Sequence, residues 1–189
     1  GIDNSIYAGG VFGSVGGTAA FKIARLASGS WGTIPGGIRN DTTNTVGGSV
    51  LSLSVGANGI VYAAGQFGTA GSANVYNVAQ YNGVQLARVG SGVGSASTNN
   101  QAYDVQTLQS GNLLVGGKYL NTGNRIVPDG IAEYNGYTYL PIDVSLVGGG
   151  NRFLAATETP GGALFIGGGY NTTGRAASVG TIVNAGMSE

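Results

Sequence analysis

Glycine recurs in this chain at a nearly constant spacing. Four segments of equal length align without gaps, at positions 9–16, 64–71, 116–123 and 167–174. In each segment the second and last residues are glycine, and the fourth is phenylalanine or tyrosine. The second-position glycines, Gly10, Gly65, Gly117 and Gly168, lie 55, 52 and 51 residues apart. A period near fifty residues indicates a repeated structural unit that must pack against its own copies, because one such unit cannot bury its apolar faces alone.

A second set of aligned positions follows each glycine segment, at residues 23–26, 78–81, 131–134 and 179–182. An Asn-Gly pair comes next in two copies, Asn82-Gly83 and Asn135-Gly136, and Ser28-Gly29 takes its place in the first. Asn-Gly between alternating apolar runs is a strong hairpin signal, because both residues accept the positive φ of a type I′ turn. We therefore expect type I′ hairpins here.

The second copy shows the unit most completely, as four short strands at 50–55, 60–67, 75–81 and 84–89. Strands of this length that alternate apolar and polar residues and return after short turns describe an antiparallel meander. No stretch shows sustained helical periodicity. The predicted fold is therefore all-β, a β-propeller or propeller-like array of four repeats of about 52 residues, each a four-stranded antiparallel meander.

The repeat divides the chain into units of approximately 1–49, 50–101, 102–150 and 151–189 within a single repeat domain. We expect the glycines that end the second strand to let neighbouring backbones approach closely, and the aromatic residue two positions on to fill the space between sheets. By this strand order the first unit lacks its opening strand and the last lacks its fourth. Closure into a four-bladed ring within the chain is therefore not favoured, and we expect a longer array or neighbouring copies to cover the edges.

The composition restricts the chemistry. Charged residues make up 8% of the chain, eight acids balance eight bases, and there is no histidine and no cysteine. Without clustered Lys and Arg, we expect no nucleic-acid partner and no attraction to anionic lipid. No apolar stretch is long enough for membrane insertion as a helix. Missing His and Cys excludes most zinc sites, Ser-His-Asp triads and thiol nucleophiles, so the sequence predicts no catalytic residues, no metal and no cofactor.

Both sets of aligned positions resemble a known group of proteins. The pattern Gly-Gly-x-Phe-x-x-x-Gly followed by Ile-Ala-x-Tyr-Asn-Gly is similar to the glycine-rich, kelch-like propeller repeats of large surface proteins and of some phage structural proteins. The resemblance implies a propeller fold but leaves function open, since propellers serve as enzymes, lectins and scaffolds. Two departures are that Trp31 is the only tryptophan and that the fourth copy lacks the Asn-Gly hairpin.

Candidate sites are sparse. The run 111–118 resembles a phosphate-binding loop, but its lysine falls one residue late and the run lies inside a predicted strand. A glycosidase would need two carboxylates from different units, such as Asp104 with Glu133 or Asp143. The tyrosines least constrained by alternation, and so available to contact a sugar, are Tyr76, Tyr103 and Tyr137.

Positions that vary between copies carry information as well. One aligned position holds Arg25, Gln80, Glu133 and Thr181. A ligand site repeated in every unit would keep its residues, so we expect no repeated site there. The longest stretches outside the repeat, 39–48 and 94–102, are where an individual function could lie.

These observations favour a non-enzymatic structural or interaction module of an extracellular or virion protein, such as a phage tail or capsid-surface component. Its predicted partners are other protein subunits or further repeats of the same polypeptide. The alternative is a glycan-binding adhesin or receptor-binding propeller, and a more remote one is a glycoside hydrolase.

Overall fold

The computed structural model describes residues 4–40, 48–94, 100–119, 121–127, 130–142, 152–172 and 175–182. All regular secondary structure in these ranges is β-strand, and every strand pair is antiparallel. The expected all-β fold is confirmed. Within the same ranges, no helix has the length and apolar character needed to cross a membrane.

The strands follow one another closely along the chain. The first six are β1 (Ile6–Gly9), β2 (Ser14–Val15), β3 (Thr18–Ala19), β4 (Ile23–Ala27), β5 (Ser30–Thr33) and β6 (Ile38–Arg39). The next six are β7 (Ser49–Val55), β8 (Val61–Gln66), β9 (Thr69–Ala70), β10 (Ala73–Asn74), β11 (Val78–Tyr81) and β12 (Leu86–Arg88). They are followed by β13 (Gln101–Thr107), β14 (Leu113–Lys118), β15 (Asn121–Thr122), β16 (Arg125–Ile126), β17 (Ile131–Tyr134) and β18 (Tyr139–Pro141). The last three are β19 (Arg152–Glu158), β20 (Leu164–Thr172) and β21 (Arg175–Ile182).

Four larger sheets form in chain order. The second and third are four-stranded meanders, β7-β8-β11-β12 and β13-β14-β17-β18. The four strands predicted for the second segment correspond to the strands of its meander, although the third begins at Val78 rather than at 75. The first sheet, β1-β4-β5, and the fourth, β19-β20-β21, have three strands each among the described residues.

The sequence patterns did not reveal a set of small hairpins, which lie between β1 and β4 in the first sheet and between the second and third strands in the second and third sheets. These hairpins are β2-β3, β9-β10 and β15-β16, and β6 pairs with β9 as well. Their turns contain Gly16, Gly71 and Gly123, whose φ angles are 55°, 60° and 58°. Residues other than glycine rarely adopt such φ angles, which accounts for the glycine at the last position of these aligned segments.

A β-bulge interrupts the opening strand of each of the last three sheets. The register shifts between Val50 and Ser52, between Ala102 and Asp104, and again between Phe153 and Ala155. A Cβ at Gly65 would lie 1.9 Å from the Ser49 carbonyl oxygen, and one at Gly117 would lie 2.1 Å from that of Gln101. The expected close approach is therefore real, but the backbone that approaches is the bulged strand of the same sheet.

The core lies between consecutive sheets. Three buried apolar clusters join the first sheet to the second, the second to the third, and the third to the fourth. Phe67 and Tyr119, which occupy the aromatic column, are buried in the first two clusters, as expected. Phe12, in the same column of the first segment, is only half-buried.

The prediction of type I′ turns holds for one hairpin and is wrong for two. Ser28 and Gly29 both have positive φ between β4 and β5. In the other two turns only Gly83 and Gly136 have positive φ, as in a type II′ turn centred one residue later. The Asn82 side chain instead accepts hydrogen bonds from the backbone amides of Val84 and Gln85, which fixes the turn in a different way.

Candidate functional site

The opening strands of the last three sheets, β7, β13 and β19, are edge strands. Side chains of one edge strand accept hydrogen bonds from the backbone of the next. The Val105 amide donates to Ser52 Oγ at 3.3 Å, and the Thr107 amide donates to Ser54 Oγ at 2.9 Å. One sheet further on, the Ala156 amide donates to Asp104 Oδ2 at 2.8 Å. Backbone groups that an edge strand would leave unpaired are thus satisfied from the preceding sheet.

Asp104 is the centre of this arrangement. Its Oδ1 accepts hydrogen bonds from Ser52 Oγ at 2.7 Å and from the Val105 amide at 3.0 Å, while Oδ2 faces Ala156. One half-buried carboxylate therefore connects the second, third and fourth sheets. Its two oxygens accept three hydrogen bonds, and those from Ser52 and Ala156 link these sheets.

The two carboxylates considered together from the sequence, Asp104 and Glu133, accept hydrogen bonds from different donors. Glu133 lies on β17 and accepts a hydrogen bond from Asn112 Nδ2 at 2.5 Å. Strand β14 separates β13 from β17, so Asp104 and Glu133 lie on non-adjacent strands of the third sheet. A glycosidase role for this pair stays a prediction. Asp143 lies outside the described residues.

The three candidate tyrosines lie in separate places. Tyr76 is half-buried in the link between β10 and β11, where its carbonyl accepts a hydrogen bond from the Val93 amide at 2.9 Å. Tyr103 sits at the bulge of edge strand β13. Tyr137 is 91% exposed in the turn between β17 and β18, at the opposite edge of that sheet. Their role in sugar binding stays a prediction, and they do not form one joint site.

Three residues at the variable position, Arg25, Gln80 and Glu133, form local hydrogen bonds. Arg25 Nε donates to Ser5 Oγ at 2.8 Å, and Gln80 Nε2 donates to the Arg88 carbonyl at 3.2 Å. Each bond joins residues of the same sheet or of the segment next to it, as does the bond between Asn112 and Glu133. The run 111–118 does lie largely in a strand, β14. Most of the two stretches outside the repeat, at 41–47 and 95–99, falls outside the described residues.

A groove opens between two hairpin turns that have the same backbone geometry. In the β7–β8 turn the Gly56 amide donates to the Ile60 carbonyl, and the Gly59 amide donates to the Gly56 carbonyl. The same two bonds recur in the β13–β14 turn, from Leu108 to Asn112 and from Gly111 to Leu108, and again in the β19–β20 turn, from Thr159 to Ala163 and from Gly162 to Thr159. Ala57 and Gln109 are therefore structurally equivalent.

The equivalence breaks down at the side chains. The backbone amide of Gln109 donates to Glu158 Oε2 at 2.7 Å, and the side-chain Nε2 of Gln109 donates to the Thr159 carbonyl at 2.6 Å. These two bonds tie the β13–β14 turn to the next sheet. One interface earlier, Ala57 replaces Gln109 and Thr107 replaces Glu158, so neither bond can form. A groove of about 390 Å³ lies there instead.

The groove has apolar walls and a few polar groups. It is lined by Val55, Gly56, Ala57, Asn58, Tyr62, Thr107, Leu108, Gln109 and Gly111, none of which carries a charge. Burial raises the pKa of Tyr62 above its usual value, and a hydrogen bond with Asn58 partly offsets that rise. Thr107 Oγ1 lies 3.0 Å from Ser54 Oγ.

The sequence patterns assigned Tyr62 to a strand and missed the groove. Comparing the turn residues of successive segments would have revealed that Ala57 is the small one.

Within the described ranges, no group of three or more Asp, Glu, His or Cys side chains is placed to hold a metal ion. A scan against models of known protein families gives no match, and no curated protein sequence shows significant similarity to the chain.

Proposed function

We propose that the four sheets are consecutive units of a propeller-like array and that the chain is a non-enzymatic assembly module of an extracellular or virion-surface protein. The common position of the bulges and the equivalent hairpin turns support the repeat. A surface with few charges, rich in Ser, Thr and Asn, supports a structural role. The module works by packing its terminal sheets against other protein subunits.

One observation carries this proposal, the different exposure of Leu114 and Phe165. Leu114 pairs with Gln106 across the third sheet, and Phe165 pairs with Thr157 in the same way across the fourth. Leu114 is 1% exposed because the fourth sheet covers it, whereas Phe165 is 38% exposed. Ala155 and Thr157, on the same strand face, are exposed too. The fourth sheet thus presents to solvent the face that the third sheet buries.

The first sheet presents a matching face. Ile6, Leu26 and Trp31 are cross-strand neighbours on β1, β4 and β5. Their counterparts in the second sheet, Val61, Tyr81 and Leu86, form the same row and are buried against the first sheet. Ile6, in contrast, is 60% exposed, and Leu26 and Trp31 are half-buried.

The occupant that fits is a second copy of this chain. The two exposed faces are the two halves of an interface that already occurs between the sheets of one chain. In that interface Tyr7, at the position of Phe165, packs edge-on against Tyr81 with ring centroids 6.3 Å apart. Phe165 of one copy would pack on the Ile6 row of the next. Such a head-to-tail contact generates rings or filaments.

The test is analytical ultracentrifugation of the wild-type chain and of three serine variants. Phe165→Ser and Ile6→Ser each remove an apolar side chain from one of the two faces, and both should lower the average mass of the assemblies. Val84→Ser, in the exposed turn between β11 and β12, is the matched control and should leave that mass unchanged. Circular dichroism checks that each variant is folded. A wild-type chain that stays monomeric at every soluble concentration contradicts the proposal.

A further inference from the structure

We infer that the groove between the β7–β8 and β13–β14 turns is a binding site for a neutral saccharide. This inference does not depend on the assembly proposed above. The groove lies within the chain, between the second and third sheets, and away from the Phe165 and Ile6 faces.

The size and walls of the groove fit a sugar. Its volume of about 390 Å³ falls within the range of small-ligand sites, about 300–1,000 Å³. The half-buried ring of Tyr62 offers an aromatic surface on which the C–H face of a pyranose can pack, and Val55 and Leu108 extend that apolar surface. Because no charged residue lines it, the groove cannot neutralise a phosphate, carboxylate or ammonium group. A charged ligand would lose its hydration there without compensation.

The equivalent interface shows which hydrogen bonds the groove lacks. Between the third and fourth sheets, the backbone amide of Gln109 finds the Glu158 carboxylate as acceptor, and the Thr159 carbonyl finds the Gln109 side chain as donor. The corresponding groups of the groove are the Ala57 amide and the Leu108 carbonyl. Thr107, at the position of Glu158, has no carboxylate to accept from the Ala57 backbone amide. Ala57, at the position of Gln109, has no side-chain amide to donate to the Leu108 carbonyl. The Leu108 carbonyl already accepts a hydrogen bond from the Gly111 amide, as the Thr159 carbonyl does from the Gly162 amide, and its second acceptor position is the one that Gln109 fills in the later interface. The Ala57 amide and this second acceptor position are the groups offered to a ligand.

A saccharide carries the complementary pair of groups. Adjacent ring hydroxyls, or the N–H and C=O of an acetamido substituent, supply one donor and one acceptor on a small neutral molecule. Asn58 and Thr107 add hydrogen-bonding side chains at the rim. The bound sugar would thus make the contacts that Gln109 and Glu158 make one interface later.

The chain itself suggests the variant that tests the site. Ala57→Gln introduces the side chain that the β13–β14 turn already carries at the equivalent position, so the turn should tolerate it while the groove is filled. Val84→Gln, in the exposed turn between β11 and β12, is the matched control because it adds the same side chain elsewhere. Tyr62→Leu removes the aromatic surface and keeps an apolar strand residue.

The experiment is NMR titration of the full chain with chitobiose, cellobiose, lactose and maltose, following the methyl signals of Val55 and Leu108. At least one disaccharide should shift these signals saturably, and Ala57→Gln and Tyr62→Leu should each weaken its binding at least tenfold, whereas Val84→Gln should not. Glucuronic acid should not bind in the groove. Lack of saturable binding by all four disaccharides overturns the inference, and so does binding that Ala57→Gln leaves unchanged. Sedimentation of Ala57→Gln should match that of the wild type, which separates this result from the assembly test.

Discussion

The ring of Phe153 packs directly over Gly116 across the interface between the third and fourth sheets. A Cβ at Gly116 would lie 1.9 Å from Cδ1 of that ring, so no other residue fits without displacement. A related contact joins the first two sheets, where a Cβ at Gly9 would lie 2.4 Å from Cγ1 of Val50. A bulky side chain on one opening strand is thus received by a glycine of the preceding sheet.

This contact predicts that Gly116→Ala destabilises the chain by about 1–3 kcal/mol, the usual cost of overpacking a filled core. Chemical denaturation followed by circular dichroism measures the loss. Phe153→Ala alone should also destabilise, by about 3–5 kcal/mol, because it leaves a cavity. In the double variant the added methyl group no longer meets the ring. The loss in its free energy of unfolding should therefore be smaller than the sum of the losses in the two single variants. Strict additivity would contradict the contact.

Asp104 should contribute to stability as a bridge between sheets. Asp104→Ala leaves the half-buried amide of Ala156, on edge strand β19, without its acceptor, and we expect a loss of about 1–3 kcal/mol in the free energy of unfolding. Asp104→Asn retains an acceptor oxygen and should cost less. The control is Gln85→Ala, on the exposed turn between β11 and β12. Equal stability of wild type and Asp104→Ala in denaturant titrations would refute the bridging role.

The sequence reveals the parts of this fold that depend on backbone geometry. Gly65 and Gly117 are required because the bulged strand fills the space where a Cβ would lie, and Gly71 is required by its positive φ. Such requirements recur with the unit, so aligned glycines predict them. The small hairpins were missed because strands of two residues are too short to show alternation.

The site is harder to predict for a physical reason. Contacts between sheets depend on which side chains face each other across an interface, and these differ from one interface to the next. In the sequence Asp104 is one carboxylate of a possible glycosidase pair, and nothing there shows that it accepts hydrogen bonds from Ser52 and Ala156 of the neighbouring sheets. The groove exists because Ala57 is small where the next turn has Gln109. A comparison of the turn residues reveals the small residue, but only the structure shows that it faces Thr107 and Leu108 of the next sheet.

The buried tyrosines predict how stability depends on alkaline pH. Burial raises the pKa of Tyr119 and Tyr139 well above the usual value near 10. The folded chain therefore keeps these phenols protonated at a pH where the unfolded chain releases the protons. Their contribution to stability is complete below pH 10 and declines above it, by about 1.4 kcal/mol per pH unit for each group. Denaturant titrations between pH 9 and 12 measure this slope.

Tyr119→Phe removes one of the two groups and should make the slope shallower by the share of that tyrosine. The variant also loses the hydrogen bond from Tyr119 Oη to the Val115 carbonyl, so its stability at neutral pH should be lower than that of the wild type. An unchanged slope would show that Tyr119 ionises equally easily in the folded chain.

The Tyr-Asn-Gly motif predicts a further pair of matched variants. Tyr81 Oη donates to the Gly83 carbonyl and Tyr134 Oη donates to the Gly136 carbonyl, both at 2.8 Å, so each hydroxyl holds the following turn. Tyr81→Phe and Tyr134→Phe should each lower the free energy of unfolding by about 0.5–1.5 kcal/mol. Tyr137→Phe, in an exposed turn, is the control for loss of a hydroxyl. Thermal denaturation would show no difference among the three if the turn contacts were unimportant.

Cysteine cross-linking tests the central claim most directly, because the chain has no cysteine of its own. Ile6→Cys and Phe165→Cys are made as separate proteins, mixed and oxidised, with Val84→Cys and Phe165→Cys as the control mixture. If the exposed face of the fourth sheet packs on the first sheet of a second copy, the first mixture should form disulfide-linked heterodimers much faster than the control mixture. Equal rates in the two mixtures would contradict head-to-tail packing of like sheets.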